Sequence, residues 1–299
     1  MTSEITVLRS LLFVPGNQPS MMEKAIGLKP DAFIPDLEDS VPADEKSNAR
    51  DVTAAHLAGL AAGGVKVIPR VNSMDTGIME EDLAALIGPH IYGVSVGKIY
   101  TADDIRKISG ILSDLEQKAG LPDGQIRLVG WIETAMAVVH AYEISAASPR
   151  VVAVAFGAED YTNDMEIERT QDEQETIFAR SAIGVAARAA GVLALDTPFF
   201  SFRDPEGLRE NARDAKKYGF KGKFAIHPAQ IDIINETFSP SQAEVEQAKR
   251  EIAAYEEAER IGRGSTSLDG KVVDVPVVKR AQALLELAKS MQVTSGSGD

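Results

Sequence analysis

Apolar residues in this chain come in short unbroken runs rather than in alternation with polar ones. LLFVP begins at Leu11, AFIPDL at Ala32, VKVIPRV at Val65, YGVSVGKI at Tyr92, IRLVGWIE at Ile126, VVAVAFG at Val151, GVLALDTP at Gly191 and GKFAIH at Gly222. Continuous runs bounded by turn residues describe strands covered on both faces, because a strand with one wet face would alternate. Between them lie stretches of helical spacing, Pro42 to Leu60, Thr101 to Lys118, Gln171 to Ala190 and Asp204 to Tyr218, with plausible caps such as the opening TADD. Strand then helix, repeated to eight strands, predicts an α/β fold, the TIM (β/α)8 barrel. A doubly wound open sheet is the rival, but it usually carries GxGxxG after its first strand, where this chain reads VPGNQPS. The expected division is a barrel over 1–240 and a C-terminal helical extension over 241–299. That extension ends in VTSGSGD, a flexible tail of small polar residues. The barrel does not need the segment RGSTSLDGKVVDVPVVKRAQALLELAKS, so it is expected to pack on a neighbouring subunit.

Length and charge narrow the function. A chain of 299 residues suits an α/β barrel as one large core. A net charge of −14 argues against nucleic acid and anionic membrane as partners, so an anionic substrate needs a local basic pocket. No cysteine is present, which removes disulfides, thiolate nucleophiles and cysteine metal sites and fits a reducing compartment. No apolar run approaches the roughly 20 residues that span a bilayer, and MTSEITVLRS lacks a basic region followed by an apolar stretch. The expectation is a cytoplasmic protein.

Barrels place their active sites at the C-terminal ends of the strands, so the polar residues closing each apolar run are the candidates. These are Asp36 with Glu38 and Asp39, then Arg70, Lys98, Glu133, Asp160, Asp196 and His227. Glu133 and Asp160 end consecutive strands, which sets two carboxylates side by side; they repel unless a proton or cation lies between them. Without cysteine or a histidine pair nearby, the fitting cation is hard, and Mg²⁺ typically takes one or two carboxylates. The alternative is that each acid caps a following helix. Arg70 follows a buried run, and its planar fork matches a carboxylate, whether that of an organic acid or that of the Asp36 cluster across the neighbouring strand. Glu38 and Asp39 read as acids that hold metal-bound water or Arg70 from outside the first ring of ligands. His227, followed by proline, reads as a turn former, and Trp131 as core or pocket wall.

The motifs RSLLFVPGN, DLEDSVPADEK, PRVN, IETA, FGAEDY, ARSAIGVAARAAG, GFKGKFAIHPAQI and LDGKVVDVPVVKRA, in order along nearly the whole chain, resemble the citrate lyase β-subunit-like (CitE-like) proteins of the HpcH/HpaI aldolase family. That group includes malyl-CoA and citramalyl-CoA lyases. The resemblance implies a TIM barrel, Mg²⁺ as cofactor, and a carbon–carbon lyase reaction releasing a 2-oxo acid and acetyl-CoA from a thioester. It matches the metal-binding residues to Glu133 and Asp160 and the substrate-carboxylate arginine to Arg70. It also sets the amides of Gly157 and Ala158 against that carboxylate and gives Arg9 a part in holding the thioester carrier. In the tail motif GKVVDVP it matches Asp274 to an aspartate that enters a neighbouring subunit's site and acts as the acid, which implies a homo-oligomer, a trimer in the family. Two positions depart from the pattern: Pro35 before DLED, expected to bend the strand end, and Gly97 before Lys98, expected to loosen that turn. Three other activities compete: a class II aldolase on free hydroxy-oxo acids, a carrier-dependent citrate lyase β subunit, and a malyl-CoA thioesterase.

Overall fold

The structure is a computed structural model that describes residues 5–170 and 172–295. The chain divides into two compact units, Leu8–Asn235 and Met1–Val7 with Glu236–Asp299.

In the first unit the eight apolar runs form parallel strands: β1 (Ser10–Pro15), β2 (Ala32–Asp36), β3 (Lys66–Val67) with β4 (Arg70–Val71), β5 (Gly93–Val96), β6 (Arg127–Ile132), β7 (Val151–Phe156), β8 (Leu193–Asp196) and β9 (Gly222–Ala225). Each pairs with its chain neighbours, and β1 pairs with both β2 and β9, so the sheet closes. This is the TIM barrel predicted above. The third run is split in two, and prolines account for the split. Pro35 sits inside β2, opposite Val14 of β1, and offers no N–H to the third strand between the bonds that Phe33 and Leu37 make there. Pro69 removes the donor on the other side, facing β5. Pro35 therefore opens a seam within the sheet and does not mark a bent strand end.

Side chains alternate in and out along each strand. The inward set includes Leu11, Ile34, Ile68, Trp131, Ala153, Ala155, Leu195 and Phe224, all buried together. Three rings fill the lumen: Phe13 to Phe224 at 5.2 Å, Trp131 to Phe224 at 4.6 Å and Phe13 to Trp131 at 6.1 Å between centroids. Trp131 and Phe224 are buried, each contributing about 1.5–3 kcal/mol by leaving water, and Phe13 is partly buried against them. Trp131 donates to Ser95 Oγ at 2.7 Å, which satisfies its indole N–H and fixes the ring as a floor.

The second unit holds the helices Gln242–Arg260 and Val275–Ser295 and a two-stranded hairpin, β10 (Thr266–Leu268) and β11 (Lys271–Val273). The hairpin turns at Asp269 and Gly270, both with positive φ as a two-residue turn of this type requires. Tyr255, Val273 and Val278 form its small core. The final four residues of VTSGSGD lie outside the described residues; Val293 to Ser295 continue the helix. Among the described residues, no helix is long and apolar enough to cross a membrane.

Candidate active site

The site grows out of strand register. Asp36, the last residue of β2, lies opposite Arg70 of β4, and Arg70 lies opposite Ser95 of β5. Ile132 pairs with Phe156, so Glu133 and Gly157 leave the ends of β6 and β7 side by side. Counting by twos from the lumen residues puts Asp36, Arg70, Gly97, Glu133 and Gly157 on the inner face at the C-terminal mouth.

Arg70 is the centre of charge. Its Nε and Nη2 donate to the two oxygens of Asp36 at 2.7 and 2.8 Å, and its Nη1 reaches Asp39 at 3.0 Å and Glu38 at 3.2 Å. The guanidinium lies 4.8 Å from the Phe13 ring and 5.7 Å from Trp131, so the aromatic floor supports it from below. Burial works to raise the Asp36 carboxyl, yet the charge and hydrogen bonds of Arg70 outweigh it and hold Asp36 low. Of the two readings of Arg70, the structure shows the ion pair: the bidentate fork is spent on Asp36, and only Nη1 faces the mouth.

The remaining acids are less well served. Burial, then the charge of Asp160, pushes Glu133 up to about 8. Burial pushes Glu38 up to about 7 against the opposing pull of Arg70, and its Oε1 is buried with no hydrogen-bond partner. Burial and then Asp39 raise Asp160. A Cβ added at Gly97 would lie 3.0 Å from Glu38 Oε1 and 3.1 Å from Glu133 Oε1, so the two carboxylates face each other across that glycine. Gly97 is thus a space-maker and not a loosened turn. Lys98 takes the left-handed conformation, φ 52°, which aims its N–H at Glu133 Oε1. Gly157 also makes room, since a Cβ there would stand 2.7 Å from Glu133 Cβ. Buried carboxylates with raised affinity for protons and an unpartnered oxygen make a site short of positive charge, and their all-oxygen chemistry fits a hard divalent cation. Among the described residues no three acids or histidines are grouped so as to hold a metal by themselves.

The expected residues do not all converge. Glu38, Asp39, Arg70, Glu133 and Asp160 do. Arg9 does not: it precedes β1, and its backbone N–H, Nε and Nη2 all donate to Asp31, which precedes β2. That is the N-terminal mouth of the barrel, six strand residues at about 3.3 Å each from the acids, beyond an arginine's reach within its own barrel. The amide of Gly157 is not free for a substrate either, because it donates to the Ile132 carbonyl at 3.3 Å, and the Ala158 amide points to Thr197 Oγ1 at 3.4 Å. Asp196 faces outward and pairs with Lys223 and Arg180. His227 is the turn former expected, accepting from Ala229 N–H at 3.2 Å and stacking on Phe202. In the second unit Asp274 caps a helix, its Oδ1 accepting from Val277 N–H at 3.3 Å. Two supports escaped the sequence reading: Lys46 donates to the carbonyls of Leu37 and Glu38 at 2.7 Å each, and Asn72 donates to that of Leu37 at 3.0 Å. Lys46 closes DLEDSVPADEK, and a lysine one turn beyond an acidic loop was the signal available.

Comparison with known proteins decides the family. Residues 9–228 match the model described as HpcH/HpaI aldolase/citrate lyase. The chain belongs to the HpcH/HpaI aldolase/citrate lyase family. A citrate lyase subunit beta from Leuconostoc mesenteroides subsp. cremoris is 37% identical over 97% of this chain and 96% of that one. A (3S)-malyl-CoA thioesterase from Cereibacter sphaeroides (strain ATCC 17025 / ATH 2.4.3) is 36% identical over 99% and 100%. Among solved structures, CitE from Mycobacterium tuberculosis in complex with magnesium, acetoacetate and coenzyme A superposes with a TM-score of 0.77 at 30% identity, covering 95% of this chain and 99% of that one. As a member of this HpcH/HpaI family the chain is an enzyme of the carbon–carbon lyase class.

Proposed function

We propose that the protein is a Mg²⁺-dependent lyase that splits a 3-hydroxyacyl-CoA thioester, of the malyl-CoA or citramalyl-CoA kind, into a 2-oxo acid and acetyl-CoA. The carrying observation is the cation-poor mouth, where Glu133 and Glu38 face each other across Gly97 and Glu38 keeps an unpartnered oxygen. Its acids suit Mg²⁺, and a structural relative at 30% identity was crystallised with magnesium and coenzyme A.

Glu133 and Asp160 would hold the metal, with Glu38 and Asp39 orienting its water. Bound there, Mg²⁺ supplies a Lewis acid for the oxygen that changes between hydroxyl and carbonyl. Arg70 Nη1, once the exposed Asp39 swings aside, receives the substrate carboxylate, while Asp36 keeps the guanidinium in place. In the cleavage direction the hydroxyl would pass its proton to the unpartnered oxygen of Glu38 as the bond between the hydroxyl-bearing carbon and the carbon beside the thioester breaks. The electron pair enters the thioester enolate. Asp274 of a neighbouring copy, in its acid form, then delivers a proton to that carbon from the oxygen that does not cap its own helix. This reading makes the active enzyme a homo-oligomer, with the helical extension as the part that crosses between copies.

The test is release of acetyl-CoA from malyl-CoA and citramalyl-CoA with Mg²⁺, with EDTA, and in an Asp160→Ala variant. The reading requires metal-dependent release of glyoxylate or pyruvate that vanishes in the variant; inactivity on both esters sinks it. A second reading, thioester hydrolysis, is favoured by the full-length similarity to the malyl-CoA thioesterase. Free CoA appearing in place of acetyl-CoA selects it.

A further inference from the structure

Behind the mouth lies a second charged cluster, and it ends on the helix that carries Asp160. Lys223 on β9 and Asp196 on β8 are fully buried and paired. Asp196 also accepts from Arg180 Nε at 3.1 Å, and Arg180 Nη1 reaches Glu173 at 2.6 Å. Glu173 takes two further donors, Arg169 Nη2 and Asn211 Nδ2. Arg169 Nη1 then donates to Glu159 Oε1 at 2.6 Å. Glu159 directly precedes Asp160 on the helix Ala158–Asp164. The barrel wall is thus linked to that helix by an unbroken chain of charge-assisted bonds.

A helix of seven residues has too few hydrogen bonds to set its own orientation, so its surroundings must do so. Asp164 tethers the far end by accepting from Ala135 N–H at 2.7 Å. The near end has Glu159. Successive helix residues project about 100° apart, so drawing Glu159 outward onto Arg169 turns Asp160 about a quarter-turn away, towards the mouth. The segment that delivers Arg169 is bracketed by two non-glycine residues in the left-handed region, Glu166 at φ 56° and Glu173 at φ 51°. Such conformations are strained and persist where neighbours over-determine them, as the three donors on Glu173 do here.

We propose that Arg169 is a positioning residue which, through Glu159, holds Asp160 in the orientation that completes the metal site. This rests on the reading of Glu133 and Asp160 as the metal-holding pair. Charge alone makes the opposite prediction: deleting a cation near the mouth should tighten Mg²⁺, whereas deleting a positioning residue loosens it.

The experiment is calorimetric titration of metal-free protein with Mg²⁺, without substrate, for wild type, Asp160→Asn, Arg169→Met, Glu159→Ala and the Glu159→Ala/Arg169→Met double variant. The expected result is that Asp160→Asn abolishes binding, while both single variants and the double variant lose affinity to the same extent, about tenfold, the low end for groups that support a ligand. Tighter binding in Arg169→Met, with the double variant restored to wild type, is the signature of through-space charge and overturns the proposal. Should Arg169→Met fail to fold, Glu159→Ala, which alters a half-exposed side chain, is titrated in low salt and in 0.5 M salt. A loss that persists under screening supports positioning, and one that disappears overturns it. Wild-type affinity in Asp160→Asn overturns the metal pair itself, a result separable from failure of the Arg169 link.

Discussion

Two charged clusters share this barrel, and they treat their carboxylates in opposite ways. At the mouth, Asp36, Glu38, Asp39, Glu133 and Asp160 face Arg70, Lys98 and Lys46, five acids against three cations, a formal −2. Behind it, Asp196, Glu173 and Glu159 meet Lys223, Arg180 and Arg169, three against three. Burial pushes on both. In the rear cluster the charge of Arg180 and the bond from Arg169 overcome it and hold Glu173 down at about 2. At the mouth Arg70 is shared among Asp36, Glu38 and Asp39 and does not overcome burial at Glu38, and among the described residues no salt bridge reaches Glu133; Glu38 and Glu133 stand at about 7 and about 8. Burial alone does not decide the state of an acid; the number of cations aimed at it does. The neutral cluster needs no charge from outside, whereas the acid-rich one lacks cations to match its acids.

The largest effect that sharpens this contrast is in the rear cluster. Asp196→Ala leaves Lys223 fully buried without a partner and should cost about 3–5 kcal/mol, read from urea denaturation. A loss under 1 kcal/mol would mean that Lys223 is not held by charge.

Next comes pH, measured on metal-free protein in EDTA. Glu38 and Glu133 have folded values above their ordinary 4.5, so the folded state binds more protons than the unfolded one between about 5 and 8. Stability must therefore fall as pH rises through that window. Glu173 has the opposite sign: its contribution is full above 4.5 and is lost as pH falls towards 2. A melting temperature that climbs steadily from pH 5 to pH 8 would show that the mouth is not short of cations, and added Mg²⁺ should flatten the decline.

Smaller again is Gly97→Ala. Its methyl would press on both Glu38 and Glu133, for about 1–2 kcal/mol and a clear loss of Mg²⁺ affinity. Unchanged affinity would mean the two carboxylates need not face each other. The smallest is His227→Ala, which removes a cap for about 1 kcal/mol or less and should leave Mg²⁺ binding and turnover alone.

Much of the barrel was legible because strands buried on both faces leave continuous apolar runs, and all eight runs became strands where expected. The inward acids were legible for a related reason: Glu133 follows Trp131 by two residues, and Asp36 follows Ile34 by two, so a lumen residue predicts a rim residue on the same face. The place of Arg9 beside Asp31 was not legible, because a motif does not say at which end of a strand its charged residue sits. The closeness of Gly157 to Glu133 was not legible, because a glycine that admits a neighbour's side chain and one that offers an amide look alike in sequence.

The chain by itself thus determined the number and order of the strands, the excess of acids at their ends and the shortage of cations to match them, since these follow from residue type and period. Only the closed barrel decided which of those acids share a site. A shift of one residue sends a side chain to the other face of a sheet, and that is the whole difference between Glu133, turned inward to an unsatisfied mouth, and Asp196, turned outward to Lys223 and Arg180. Partners 16 and 27 positions away for Asp196, and 34 for Asp36 and Arg70, meet through strand pairing and packing, which no local pattern in the sequence encodes.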